Sequence, residues 1–153
     1  MDCFTPERIE LGERALEAIA RNTLTIPDEK WRMSTFLRHT PCGTVGCALG
    51  WGIDLPEVRA CGISLVEYCG SFYPCQNDAE PLEDSWEVIG QLFAITNHDA
   101  AQMFCDMEYV NPTQAAVSAR ITAFLSERRA KRVQVQIVSN RCESAAEVLT
   151  VGA

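Results

Sequence analysis

At 153 residues and a formal net charge of -8, the chain has the length of one domain that buries roughly two thirds of its unfolded surface without a disulfide scaffold. The acidic balance disfavours nucleic acid as a partner, although Arg128 to Arg132 leaves a small basic patch. No apolar run reaches the ~18 residues of a membrane span, and the start MDCFTPERIE lacks the basic-then-apolar pattern of a signal peptide.

These features lead to the expectation of a cytosolic chain with no membrane partner. Eight cysteines form no CxxC pair and no regular secreted framework, so they read as reduced, small apolar residues. Charge is uneven along the chain. Gln76 to Asn111 holds eight acids (Asp78, Glu80, Glu83, Asp84, Glu87, Asp99, Asp106, Glu108) and no Lys or Arg, whereas Pro112 to Ala153 holds six bases and three acids. The two segments either neutralise one another side by side or leave an acidic surface for a basic partner.

Thr5, Pro6 and Glu7 form a helix start, with a hydroxyl cap, proline at the first helical position and an acid in the first turn. Ile9, Gly12, Leu16, Ile19 and Ala20 share one face opposite Glu10, Glu13, Arg14, Glu17 and Arg21, which predicts a helix from Pro6 to Arg21. Asn22 to Lys30 reads as a loop broken by Pro27. WRMSTFLRH, from Trp31, carries too many large apolar groups for a linker and is expected to pack beneath the next segment as a short helix or turn.

Thr40 to Gly52, TPCGTVGCALGWG, concentrates four of the nine glycines in thirteen residues. Each glycine weakens an ordinary helix by about 1 kcal/mol, so the density implies close packing or a special backbone. Thr44 is expected to cap a helix through Trp51, with Gly46 and Gly50 on one face where another backbone comes close. Amides at that start, over Gly43, Thr44, Val45 and Gly46, form an alternative site for a nucleotide-like anion, without the Walker or GxGxxG pattern. His39, Cys42 and Cys47 make an H-x2-C-x4-C group, an alternative zinc site in a chain otherwise expected to carry no cofactor. Cys42 or Cys47 near a helix start, with His39 or His98 as base, also has the residue types of a thiol nucleophile, but no cysteine-hydrolase signature surrounds either.

The run from Glu17 to Gly52, with EAIARN, WRMSTF and CGTVGCALGWG, resembles small uncharacterised phage and bacterial proteins that carry a CGTxxC(I/L)AG(W/H) segment. Met33, Phe36, Cys42, Gly43, Thr44, Cys47, Gly50 and Trp51 carry the match. Phe93-Ala94-Ile95, Thr96 and Met103-Phe104 look like a diverged version of the family's continuation. The resemblance implies phage or bacterial origin and an α-rich fold. The family has no established function.

ISLVEY, from Ile63, reads as a short strand or helical turn, and Asn77 to Asp84 as an acidic loop. Asp84 or Ser85 caps a helix carrying Trp86, Ile89, Leu92 and Phe93, and Thr96 caps another through Met103 and Phe104. Asn111-Pro112 opens a last helix with Val117, Ile121, Phe124 and Leu125 on one face. VQVQIVS, from Val133, alternates with period two and predicts a strand.

The expected fold is mainly α, a single compact domain of about five helices over 1–132 with a minor β element near Val133–Ser139 in a C-terminal strand or tail over 133–153. The expected function is a non-catalytic binding protein, a phage-encoded modulator or inhibitor of a host process of the counter-defence type. It would meet a host protein with a basic surface through Glu83, Asp84, Trp86, Glu87, Asp106 and Glu108.

Overall fold

The computed structural model describes residues 4–41, 43–77 and 84–151, with side-chain surroundings through residue 143. The fold is mainly α with a minor antiparallel β component, six α-helices and four strands among the described residues. Two units are distinguished, Met1–Thr122 and Ala123–Ala153.

In the first unit, α1 (Pro6–Thr23) opens with Thr5, whose side chain accepts from the Arg8 amide, and carries Glu10 to Arg14 and Glu17 to Arg21 ion pairs at 2.5 and 4.0 Å. Its buried stripe includes Ala15, Leu16, Ile19 and Ala20. Glu13 departs from the polar face expected of it and is 4% exposed. Gly12 sits where a Cβ would overlap the Phe93 backbone, so the glycine lets α1 approach the end of α4 (Ser85–Phe93) at backbone contact. Asp84 caps α4 by accepting from the Trp86 and Glu87 amides, and Thr96 caps α5 (Asn97–Phe104) by accepting from Asp99. Phe93 and Phe104 meet in the core at 6.4 Å between ring centroids.

The sheet is built from β1 (Leu37–Thr40), β2 (Gly43–Gly46), β3 (Ile63–Tyr68) and β4 (Ser71–Gln76) in the order β2-β1-β4-β3. Cys69 and Gly70, both at positive φ, make the two-residue turn between β3 and β4. Pro74 is tolerated in an inner strand because β4 pairs with β1 only at Phe72 and Ser71, leaving the proline beyond the end of β1. The helix expected from Thr44 does not form. Gly43–Gly46 is β2, paired with β1, and the helix α2 (Ala48–Gly52) starts at Ala48 after Cys47. Leu55 precedes α3 (Pro56–Arg59).

The last helix, α6 (Gln114–Val151), begins after Thr113, whose hydroxyl accepts from the Ala116 amide. Its first turns belong to the first unit, where Val117 and Ile121 are buried and Ser118 donates to the Ala20 carbonyl at 2.8 Å. In the second unit, Lys131 pairs with Glu127 at 3.3 Å and the Arg128 guanidinium lies 5.9 Å from the Phe124 ring.

The strand expected over Val133–Ser139 is helical throughout, and the β component lies instead within residues 37–76. The physical reason is partnering. ISLVEY is already paired with β4, and a helix satisfies its own backbone groups without a neighbour. Each valine costs such a helix less than ~0.7 kcal/mol, and Ala130, Lys131 and Arg132 before them favour it.

Candidate functional site

The glycine-rich segment does bring backbones together, although Gly46 lies at the end of β2 rather than on a helix. A Cβ on Gly46 would stand 2.7 Å from the Phe36 carbonyl oxygen, and one on Gly50 would overlap that carbonyl outright. The contact clamps the loop of residues 32–36. Arg32 donates its amide to the Gly46 carbonyl at 2.9 Å, and Cys47 donates its amide to Thr35 at 3.0 Å and Phe36 at 3.3 Å. Two indoles tie down the flanks, Trp51 donating to the Lys30 carbonyl and Trp31 to the Pro112 carbonyl, both at 2.7 Å. Those polar tips keep Trp31 and Trp51 half-buried.

Beside this loop lies a cleft of about 270 Å³. In β1, Leu37 stands opposite Phe72 and the His39 ring meets Phe72 edge-on at 5.3 Å, so Arg38 and its pairing partner Ser71 take the other face of the sheet. That second face forms the cleft floor. Arg32 and Phe36 from the clamped loop, Trp86 from α4 and Asp106 beyond α5 complete the walls. Phe36 and Trp86 pack with ring centroids 5.8 Å apart and an angle of 59°.

Asp106 begins a second feature. The 3-10 turn Asp106–Glu108 presents Met107 at 88% exposure, and Val110 follows, fully exposed. The backbone beneath them is tied from inside. Tyr109 donates its hydroxyl to the Met103 carbonyl at 2.7 Å, and the Arg120 guanidinium lies 3.8 Å from the Tyr109 ring centre while donating to the Gln102 and Glu108 carbonyls at 3.0 and 2.8 Å. Burial pushes the Tyr109 phenol up to about 12, against the opposing pull of the Arg120 charge.

The structure distributes the expected site residues unevenly. Trp86 and Asp106 share the cleft. Asp84 is exposed, but its carboxylate is occupied as the α4 cap, and Glu108 accepts from Gln102 at 2.7 Å. Glu87 is exposed in the first turn of α4, and Glu83 lies outside the described residues. For the alternative anion site, Gly43, Thr44, Val45 and Gly46 are strand residues, so the helix-start amides that motivated it are not there.

Of the alternative zinc ligands, Cys42 lies outside the described residues. His39 Nδ1 is 2.8 Å from the Thr44 hydroxyl, and Cys47 is buried with its sulfur 3.8 Å from the Phe36 carbonyl. No group of three or more His, Cys, Asp or Glu suited to a metal occurs among the described residues. Burial pushes the Cys47 thiol up to about 11, outweighing the amides of the short α2, which is the reverse of what an activated nucleophile needs.

Four residues that matter here escaped the sequence reading. Arg32 and Arg38 come from a loop and a strand and line one cleft only once β4 and α4 are in place. Met107 and Val110 carry a faint signal, since they follow the stripe of α5 yet precede Pro112, where no helix continues to bury them. No helix among the described residues is long and apolar enough to cross a membrane. No protein-family model, no curated protein and no solved structure matches the chain.

Proposed function

We propose that the protein is a non-catalytic binding protein that engages a partner protein with a basic surface, in the setting the phage resemblance implies, as a phage-encoded modulator or inhibitor of a host process. The observation that carries this reading is the pair Met107 and Val110, bare to solvent on a braced loop and flanked by Asp106 and Glu108. Exposed apolar side chains of this size contribute ~1.5 to 3 kcal/mol each when a partner covers them. The braces at Tyr109 and Arg120 hold the loop in place before binding, which lowers the ordering cost of association. Carboxylates beside the anchors, with Glu87 on α4, govern association rate and partner choice rather than depth of binding.

The test is affinity capture from host lysate with the parent chain, with Met107→Ser/Val110→Ser and with Glu87→Lys/Asp106→Lys. The expected result is one basic protein recovered by the parent, lost with both variants and released progressively as salt rises. Equal recovery by all three chains refutes the reading.

A further inference from the structure

The cleft beside the clamped loop has its own chemistry, independent of the partner surface except at Asp106. Among the described residues neither Arg32 nor Arg38 has an ion pair, whereas Arg14, Arg21 and Arg59 do, at 2.5, 4.0 and 2.7 Å. Among the described residues, the lining of this cleft in a strongly acidic protein therefore carries two arginines and one carboxylate, Asp106. The fold also holds Arg32 and Arg38 in fixed backbone positions, one through its amide bond to Gly46 and the other through strand pairing to Val45 and Ser71. Guanidiniums placed in this way suit a phosphate or carboxylate, whose oxygens accept paired N–H donors.

The rest of the cleft is aromatic and polar. Trp86 and Phe36 supply ring surface, and Tyr73 and Asp106 supply hydrogen-bonding groups. A cleft of about 270 Å³ lies at the small end of ligand sites, which run from ~300 Å³ upward. It has room for one planar ring system and one anionic group, not for a dinucleotide.

We propose that this cleft is a binding site for a nucleoside monophosphate, with the phosphate at Arg32 and Arg38, the base against Trp86 and Phe36, and Asp106 accepting from an amino or hydroxyl group of the ligand. Neither the inorganic anion nor the base alone satisfies both halves of the cleft. A ligand carrying both outperforms either.

Isothermal titration of the full chain, with AMP, GMP, CMP and UMP as separate ligands and with inorganic phosphate and adenosine as half-ligands, tests the assignment. The expected result is saturable binding of at least one monophosphate, tenfold or more tighter than phosphate or nucleoside. Binding falls tenfold or more in Arg32→Met and in Arg38→Met, both exposed positions whose near-ultraviolet circular dichroism should match the parent. Trp86→Leu weakens the monophosphate but leaves the weak phosphate affinity unchanged, which separates a stacking role from general loss of the cleft. The proposal is overturned if no monophosphate binds the folded chain, if phosphate alone binds as tightly, or if the arginine variants bind like the parent. Because Met107→Ser/Val110→Ser leaves the cleft intact, retained nucleotide binding in that variant separates the fate of this site from that of the partner surface.

Discussion

Replacing Gly50 by alanine tests whether the glycine-rich segment exists to let two backbones touch. On helix propensity alone the change stabilises α2 by ~1 kcal/mol. The new methyl, however, falls on the Phe36 carbonyl, a backbone group that cannot rotate away as a side chain would. Forcing atoms into a filled space costs ~1 to 3 kcal/mol, and displacing Phe36 weakens the Cys47 amide bond to its carbonyl for a further ~1 kcal/mol. The net expectation is a loss of about 1 to 3 kcal/mol, or ~2 to 12 °C in melting temperature for a chain of this size.

Leucine at the same position adds three more carbons and should leave no folded protein. Gly52→Ala is the control, since its Cβ would meet the Ile19 side chain at 3.1 Å, which can adjust. Urea denaturation followed by circular dichroism reads the effect as a lower midpoint at unchanged slope. A Gly50→Ala protein as stable as the parent, or more so, would refute the backbone-contact argument.

Asp84→Ala removes the one carboxylate oxygen that accepts from both the Trp86 and Glu87 amides and should lower stability by ~1 kcal/mol in the same urea assay, whereas Glu87→Ala should stay within ~0.5 kcal/mol. Alkaline pH should also destabilise the fold. The Cys47 thiol is raised from 9.0 to about 11 in the folded chain, so between those values the unfolded state loses its proton first. Stability is then complete below pH ~9 and declines toward pH ~11, by about 2 to 3 kcal/mol from this group. Urea midpoints measured across that range should fall less steeply in Cys47→Ala, and equal slopes would contradict the burial account.

The features legible in the sequence are those set within a few residues of one another. Thr5, Asp84 and Thr96 cap helices because a short side chain need only reach amides two or three positions ahead. The stripes of α1, α4 and α5 follow because burial at helical spacing leaves a periodic record. The sheet left a weaker record, with only ISLVEY of β3 readable as a short strand or helical turn. β2 reads GTVG and β4 carries Pro74, and both owe their conformation to neighbours supplied by the fold rather than to alternation.

Val133–Ser139 failed in the opposite direction. It alternates like a strand but has no partner strand, and α6 runs through it. The purpose of Gly46 and Gly50 was readable although the element of Gly46 was not, because missing side chains announce close approach in a strand as well as in a helix. Of the candidate site, the acidic stretch was visible as composition. The cap at Asp84 was local and visible with it, whereas the cleft wall at Asp106 and the braced tip at Met107 depend on long-range bonds such as those of Arg120, which spacing does not encode.

The central functional claim, that the 105–112 segment is where a partner protein docks, is tested most directly by oxidative footprinting of the captured complex against the free chain. Met107 at 88% exposure should oxidise rapidly when free and be protected in the complex, while buried Met33 and Met103 stay slow in both. A complex in which Met107 remains as reactive as in the free chain, with protection appearing over 127–143 instead, would contradict it.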